Sequence, residues 1–421
     1  MKFVFHAVHR QRWVMQVSCL ILLVAGFAKS SWADPNSIQI LSCNQEALSA
    51  RLTFISNAQN EIAISSFYVE PGKATDLLLA ALTSSAERGV RVRLLLDARN
   101  MELKSSQLAR LQLAGVSIRL FHRQDKGGVH WFNRRLHSKL LMVDQKLLIV
   151  GSRNLRDKHF GLASKNYIDI DLAIEGSSAK QAADYFDWIW NSNHVQAPKL
   201  RGATQTGPSA AIAFDPANFP FDFAPHHHAT TCCLYDANFE KSNRRMQQQR
   251  LAWVKSAKRS LIIQTPYPAF AKKTLSAICE SARRGVNVQI ITNSLATTDQ
   301  VLPFAGYKNS QRRLLASGVK IYEFQGPESL HAKVTLIDGQ AAVIGSHNFD
   351  ARSDNFNLEF GVRVNCPEFV NDVNSRLCQH KSDSKQILSP RLDRTDRSES
   401  RQKLIGLRAR QLAVPFLRPL L

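Results

Sequence analysis

Apolar runs in this chain alternate with stretches whose apolar residues recur three and four apart, and the alternation runs twice in one order. An apolar strand is predicted over residues 62–69, followed by a helix over 76–87 that stops at Gly89, where a left-handed cap is expected. A strand through Leu94-Leu95-Leu96, a second helix ending at Gly115 and a strand around Ile118 follow. The second pass reads strand 261–265, helix 273–283, Gly285, strand Ile290-Ile291-Thr292, a helix ending at Gly318 and a strand around Ile321. Even the residue strings repeat: Arg88-Gly89-Val90-Arg91-Val92 answers Arg284-Gly285-Val286-Asn287-Val288. Strands alternating with helices predict βαβ units, hence an α/β fold with a mostly parallel sheet covered on both faces.

Each pass then carries the same frame. His137-Ser-Lys139 is followed by Asp144 and Gly151-Ser152-Arg-Asn154; His331-Ala-Lys333 is followed, at identical spacing, by Asp338 and Gly345-Ser346-His-Asn348. The apolar runs flanking each aspartate read as strands that meet at a turn. Residues two apart on an extended segment share a side, so His137 pairs with Lys139 and His331 with Lys333. Two imidazoles and two lysines are the groups needed to cut a phosphodiester without a metal. One imidazole attacks phosphorus and forms a phosphohistidine while the other protonates the departing alkoxide. The lysines, Ser152, Asn154, Ser346 and Asn348 are expected to hold the nonbridging oxygens.

A nucleophilic histidine also needs a carboxylate on its far ring nitrogen. Glu359 is the candidate in the second half, and Asp169 or Asp171 in the first. Asp144 and Asp338 are expected to form turns rather than take part. A lone buried histidine is more often a packed core residue than a catalyst, but two in one frame, each beside a lysine, reverse that expectation.

Composition adds boundaries and partners. Residues 1–33 read as an export signal or N-terminal anchor: Lys2, Arg10 and Arg12 precede an apolar run, and Ser31-Trp32-Ala33 offers a cleavage site. The protein is therefore expected to be exported, periplasmic or secreted, and associated with a membrane. Residues 34–195 form the first half, 196–229 a Pro- and Phe-rich linker loop, 230–380 the second half and 381–421 a basic tail. Phe214, Phe219, Phe221 and Phe223 of the linker are expected to pack on the core. The insertion at 122–136, with Lys126, Trp131, Arg134 and Arg135, is a candidate anion-binding loop. A net charge of +21 over 421 residues favours an anionic partner, either nucleic acid or acidic lipid headgroups. Six cysteines follow residue 33, and Cys366 with Cys378 is the most local candidate disulfide. His226-His227-His228 near Cys232-Cys233 lacks zinc-ligand spacing, so no metal and no cofactor are expected.

The twin frame resembles the HKD signature of the phospholipase D superfamily, across roughly residues 43–378. Asn133-Arg134-Arg135-Leu136-His137, Tyr167-Ile168-Asp169-Ile170-Asp171, Trp188-Ile-Trp190 and Thr265-Pro266-Tyr267 look like bacterial cardiolipin synthases. The resemblance implies two pseudo-symmetric α/β/α layered halves, each with a mixed, mostly parallel sheet, with the active site at their interface. It implies His137 as nucleophile and His331 as general acid. The expected protein is a monomer with an internal pseudo-two-fold that acts on phospholipids. The alternatives are an exported nuclease of the same superfamily and a non-catalytic binding protein.

Overall fold

The computed structural model describes residues 35–122, 133–200, 214–235, 239, 244–390 and 410. The signal segment, most of the 122–136 insertion and the Arg-rich tail beyond 390, Arg410 apart, lie outside the described residues. In the first half the strands are β1 (Asn36–Leu41), β2 (Glu61–Ser66), β3 (Arg91–Asp97), β4 (Ser117–Phe121), β5 (Leu140–Val143), β6 (Leu147–Gly151), β7 (Tyr167–Ile168), β8 (Asp171–Glu175) and β9 (Val195–Gln196). In the second half they are β10 (His227–Tyr235), β11 (Ser260–Gln264), β12 (Asn287–Asn293), β13 (Lys320–Phe324), β14 (Ser329–Leu330), β15 (Val334–Ile337), β16 (Ala341–Gly345), β17 (Phe360–Asn365) and β18 (Ser384–Ile387).

All but β7 and β14 join one 16-stranded sheet in the order β18-β13-β12-β11-β15-β16-β17-β10-β1-β8-β6-β5-β2-β3-β4-β9. The order is a palindrome of equivalent strands, with β10 against β1 at its centre, so the duplicated sequence folds as two pseudo-symmetric halves. The sheet is mixed, but the balance is not the mostly parallel one expected. Only β2-β3, β3-β4, β11-β12 and β12-β13 are parallel within it. The reason is that a βαβ crossover makes a parallel pair, whereas each frame is a hairpin, β5-β6 and β15-β16, and a hairpin is antiparallel.

Period-two alternation sorts side chains between layers. Leu140 and Met142 of β5 face a core shared by both halves and covered by the helices Ser177–Trp190 and Pro367–Ser382. Leu141 and Val143 face a second core under the helices Asn44–Ser56 and Lys73–Glu87. A third core, in the second half, lies under Lys272–Arg283 and Val301–Ala316.

Three expectations shift. Strand β10 begins at His227, inside the segment read as linker, and β18 pairs with β13 inside the segment read as tail. Cys366 and Cys378 are free thiols at opposite ends of one helix, Pro367–Ser382. Their separation, roughly 18 Å at 1.5 Å per residue, is far beyond disulfide reach. The linker phenylalanines do pack on the first-half core, with Phe221 and Phe223 each 5.8 Å edge-on to Phe54. Among the described residues no helix is long and apolar enough to cross a membrane.

Candidate active site

The frames lie on the hairpins β5-β6 and β15-β16, one on each side of the sheet's centre, and each repeated spacing has a local cause. Asp144 and Asp338 occupy the hairpin turns with φ of 51° and 54°. The Asp144 carboxylate accepts the backbone N–H groups of Gln59, Asn60 and Glu61; Asp338 accepts those of Lys258, Arg259 and Ser260. Burial would raise both carboxyl groups, but those amides hold them below the usual range. Replacing either with alanine forfeits the amide acceptors and strains the turn, at about 1–3 kcal/mol. Asparagine, which tolerates positive φ, should lose less. Thermal melts that fall in the order aspartate, asparagine, alanine, with KM unchanged, would bear this out. Gly151 is required by a close approach: a Cβ there would lie 2.0 Å from Asp171 Oδ1.

His137 Nδ1 lies 2.8 Å from Glu359 Oε2, and His331 Nδ1 lies 2.7 Å from Asp169 Oδ1. Each histidine is thus oriented by the carboxylate of the other half, not its own, which corrects the pairing read from the sequence. Backbone bonds between the halves impose the exchange. His137 N donates to Leu358 O at 2.8 Å, beside Glu359. His331 N donates to Ile168 O at 2.8 Å, beside Asp169, where β7 and β14 run parallel. Asp171 is not at a histidine. It binds Arg51 at 2.7 Å, Arg153 at 3.1 Å and the Ser152 amide at 2.8 Å.

A carboxylate only accepts, so each Nδ1 donates, and each Nε2 is the nitrogen that no carboxylate holds. The serines turn away from the space expected for substrate: Ser152 Oγ donates to Asp169 at 2.5 Å, and Ser346 Oγ donates to Glu359. Of the polar side chains expected to hold a substrate, the lysines and asparagines are the ones these carboxylates do not take up. Asn154 is held at both ends, by Tyr68 N at 3.2 Å and His159 Nε2 at 3.4 Å, whereas the buried Asn348 Oδ1 has no partner among the described residues. Lys333 Nζ stands 3.0 Å from His331 Nε2, and Lys139 lies over the Phe67 ring at 5.0 Å.

Burial dominates the electrostatics. It lowers His137 to about 4 against the pull of Glu359, and, with Lys333 alongside, lowers His331 to about 3. Both imidazoles are neutral in the free protein at pH 7. Burial would raise Asp169, but His331 and His159 carry it well below the carboxylate range. Burial brings Lys333 down to about 8 and drops Lys139 well below the usual lysine value. Lys333 is charged below that value and neutral above it. We expect kcat/KM to fall as pH rises through about 8, by up to tenfold per unit. A profile flat from pH 7 to 10 would contradict a charged Lys333.

His159 escaped the sequence reading, because Asp157-Lys158-His159 has no counterpart in the second frame. Its Nδ1 donates to Asp169 Oδ2 at 2.6 Å, and its ring centre is 4.9 Å from that of His331. Ligand atoms of His159, Asp169 and His331 lie within 4.8 Å of one another. Both Asp169 oxygens already accept imidazole N–H groups, so the arrangement fits a shared hydrogen-bond network.

The family described as "Cardiolipin synthase, PLD-like domain" matches residues 52–190 and 251–380, one span in each half and well over half of the chain. The chain belongs to this family. It is an enzyme of the phospholipase D superfamily. Cardiolipin synthase C of Escherichia coli (strain K12) is 28% identical over 407 residues, covering 84% of this chain and 86% of that protein. Cardiolipin synthase A of Edwardsiella ictaluri is 27% identical over 360 residues, covering 80% and 68%. The crystal structure of phosphatidylserine synthase from Haemophilus influenzae Rd KW20 shares the fold with a TM-score of 0.73, at 16% identity, over 92% of this chain and 97% of that one.

Proposed function

We propose that this enzyme is a phosphatidyltransferase working through a phosphohistidine without a metal. The observation that carries the reading is the pair of imidazoles, each with Nδ1 tied to a buried carboxylate and Nε2 left to react. His137 Nε2 attacks the phosphodiester phosphorus, and the bond to the headgroup oxygen breaks. His331 Nε2–H supplies the proton to that oxygen. The neutral His331 then takes a proton from an incoming alcohol or water, whose oxygen attacks phosphorus and releases His137. Lys139 and Lys333 act as point charges on the nonbridging oxygens. A bound phosphodiester anion raises the histidine pKa, so His331 gains its proton as substrate enters. The basic charge and the N-terminal signal pattern support work at an anionic membrane surface outside the cytoplasm.

Thin-layer chromatography of phosphatidylglycerol vesicles, with and without added alcohol, tests the reading. Cardiolipin or a phosphatidyl alcohol indicates transfer, and phosphatidic acid alone indicates hydrolysis. Intact lipid beside degraded DNA would overturn the lipid assignment. EDTA should leave turnover within twofold, and strong inhibition would refute the metal-free step.

A further inference from the structure

Asp299 follows β12 in the loop ahead of the helix Val301–Ala316, outside both frames. Its Oδ2 accepts the Tyr167 hydroxyl at 2.8 Å and its Oδ1 accepts the Tyr267 hydroxyl at 2.6 Å. The two phenols come from different halves, so the carboxylate closes a seam between them. The Tyr167 ring centre lies 4.9 Å from that of His331, which places the group on the His331 side of the site. Asp299 is nonetheless exposed, so its remaining lone pairs are open to a ligand. Desolvation by the groups around it would raise its carboxyl, but the hydroxyls of Tyr267 and Tyr167, with His331 nearby, keep it below the ordinary value and therefore anionic.

The equivalent corner near His137 is built differently. There Tyr68 donates to Glu102, Arg156 lies over the Tyr68 ring at 4.1 Å, and Arg156 also pairs with Glu70. The side chains donating to Asp299 are both neutral phenols. An anion beside a phosphate site repels the phosphodiester unless it faces another part of the substrate.

In-line displacement decides which part. With His137 attacking phosphorus, the leaving or entering oxygen lies opposite it, at His331, beside which stands Tyr167 with Asp299 on its hydroxyl. We propose that Asp299, framed by Tyr167 and Tyr267, is the subsite for the alcohol partner. It selects alcohols that carry a second hydrogen-bond donor, hydroxyl or ammonium, a few bonds from the reacting oxygen. This rests on the phosphatidyltransfer reading, with His331 on the alcohol side.

The test supplies phosphatidylglycerol vesicles with deuterated glycerol, ethanolamine or 1-propanol, and reads the phosphatidyl products by mass spectrometry. The wild-type enzyme should favour glycerol or ethanolamine over 1-propanol in kcat/KM. Asp299→Asn should reduce that ratio by about tenfold or more, the scale of a lost charged hydrogen bond. Asp299→Glu, which keeps the charge, should retain more of the preference. A larger loss for glycerol marks a hydroxyl ligand, and a larger loss for ethanolamine an ammonium. A wild-type enzyme indifferent to the second donor, or an Asp299→Asn ratio within twofold of wild type, overturns the subsite. Absence of any phosphatidyl product from wild type would instead defeat the transfer reading beneath it.

Discussion

Alanine at His137 or at His331 should each lower kcat by about 10³–10⁴-fold or more, with little change in lipid binding. The two losses should not add in the double variant, because both residues serve one reaction coordinate. The residual species distinguish them. Without His331 the attack on phosphorus still occurs at a reduced rate, but neither leaving-group protonation nor activation of the acceptor is assisted. His331→Asn should therefore accumulate a phosphatidyl adduct, visible as an acid-labile mass increase on the peptide containing His137. His137→Ala should accumulate none. An adduct on His331 in the His137 variant would reverse the two roles, and wild-type turnover in either variant would remove histidine from the chemistry altogether.

Much of this site is legible in the sequence. The twin frames, the shared side of each histidine and lysine, and the turn role of Asp144 and Asp338 all follow from residue spacing, which is a local property. What could not be read is non-local. Glu359 and Asp169 were both recognised, but their partners depend on which strand ends meet: Leu136 bridges to Leu358, and Leu330 pairs with Ile168 across the halves. No periodicity encodes that contact. Their frame position points the serines at phosphate, whereas their hydroxyls are taken by the carboxylates behind the histidines. The βαβ periodicity overstates parallel pairing because it masks the strand–turn–strand pattern inside the frame itself. Strand β18, Ser384–Ile387, has too little apolar content to announce itself and forms only because β13 offers an open edge.

Exchange of the carboxylates makes a prediction that pairing within each half does not. Glu359→Gln should impair His137, and so the attack on phosphorus, whatever the leaving group. Asp169→Asn should impair His331, and so the protonation of the leaving oxygen and the later activation of the acceptor, but not the attack on phosphorus itself. Loss of such an orienting carboxylate costs on the order of 10²–10⁴-fold, because the imidazole can then settle in the wrong tautomer. Asp169 also holds His159 and Ser152, and Glu359 also holds Ser346, Ser353 and Asn357, so each amide variant keeps a hydrogen-bonded shell around its site. Measured on phosphatidylglycerol, both variants should be slow. Measured as the burst of phenolate from a phosphatidyl p-nitrophenol ester, Asp169→Asn should recover most of its loss, because p-nitrophenolate departs unprotonated. Glu359→Gln should remain slow on both. The opposite pattern would return Glu359 to His331 and Asp169 to His137, while equal rescue of both variants would mean that neither carboxylate is tied to one histidine.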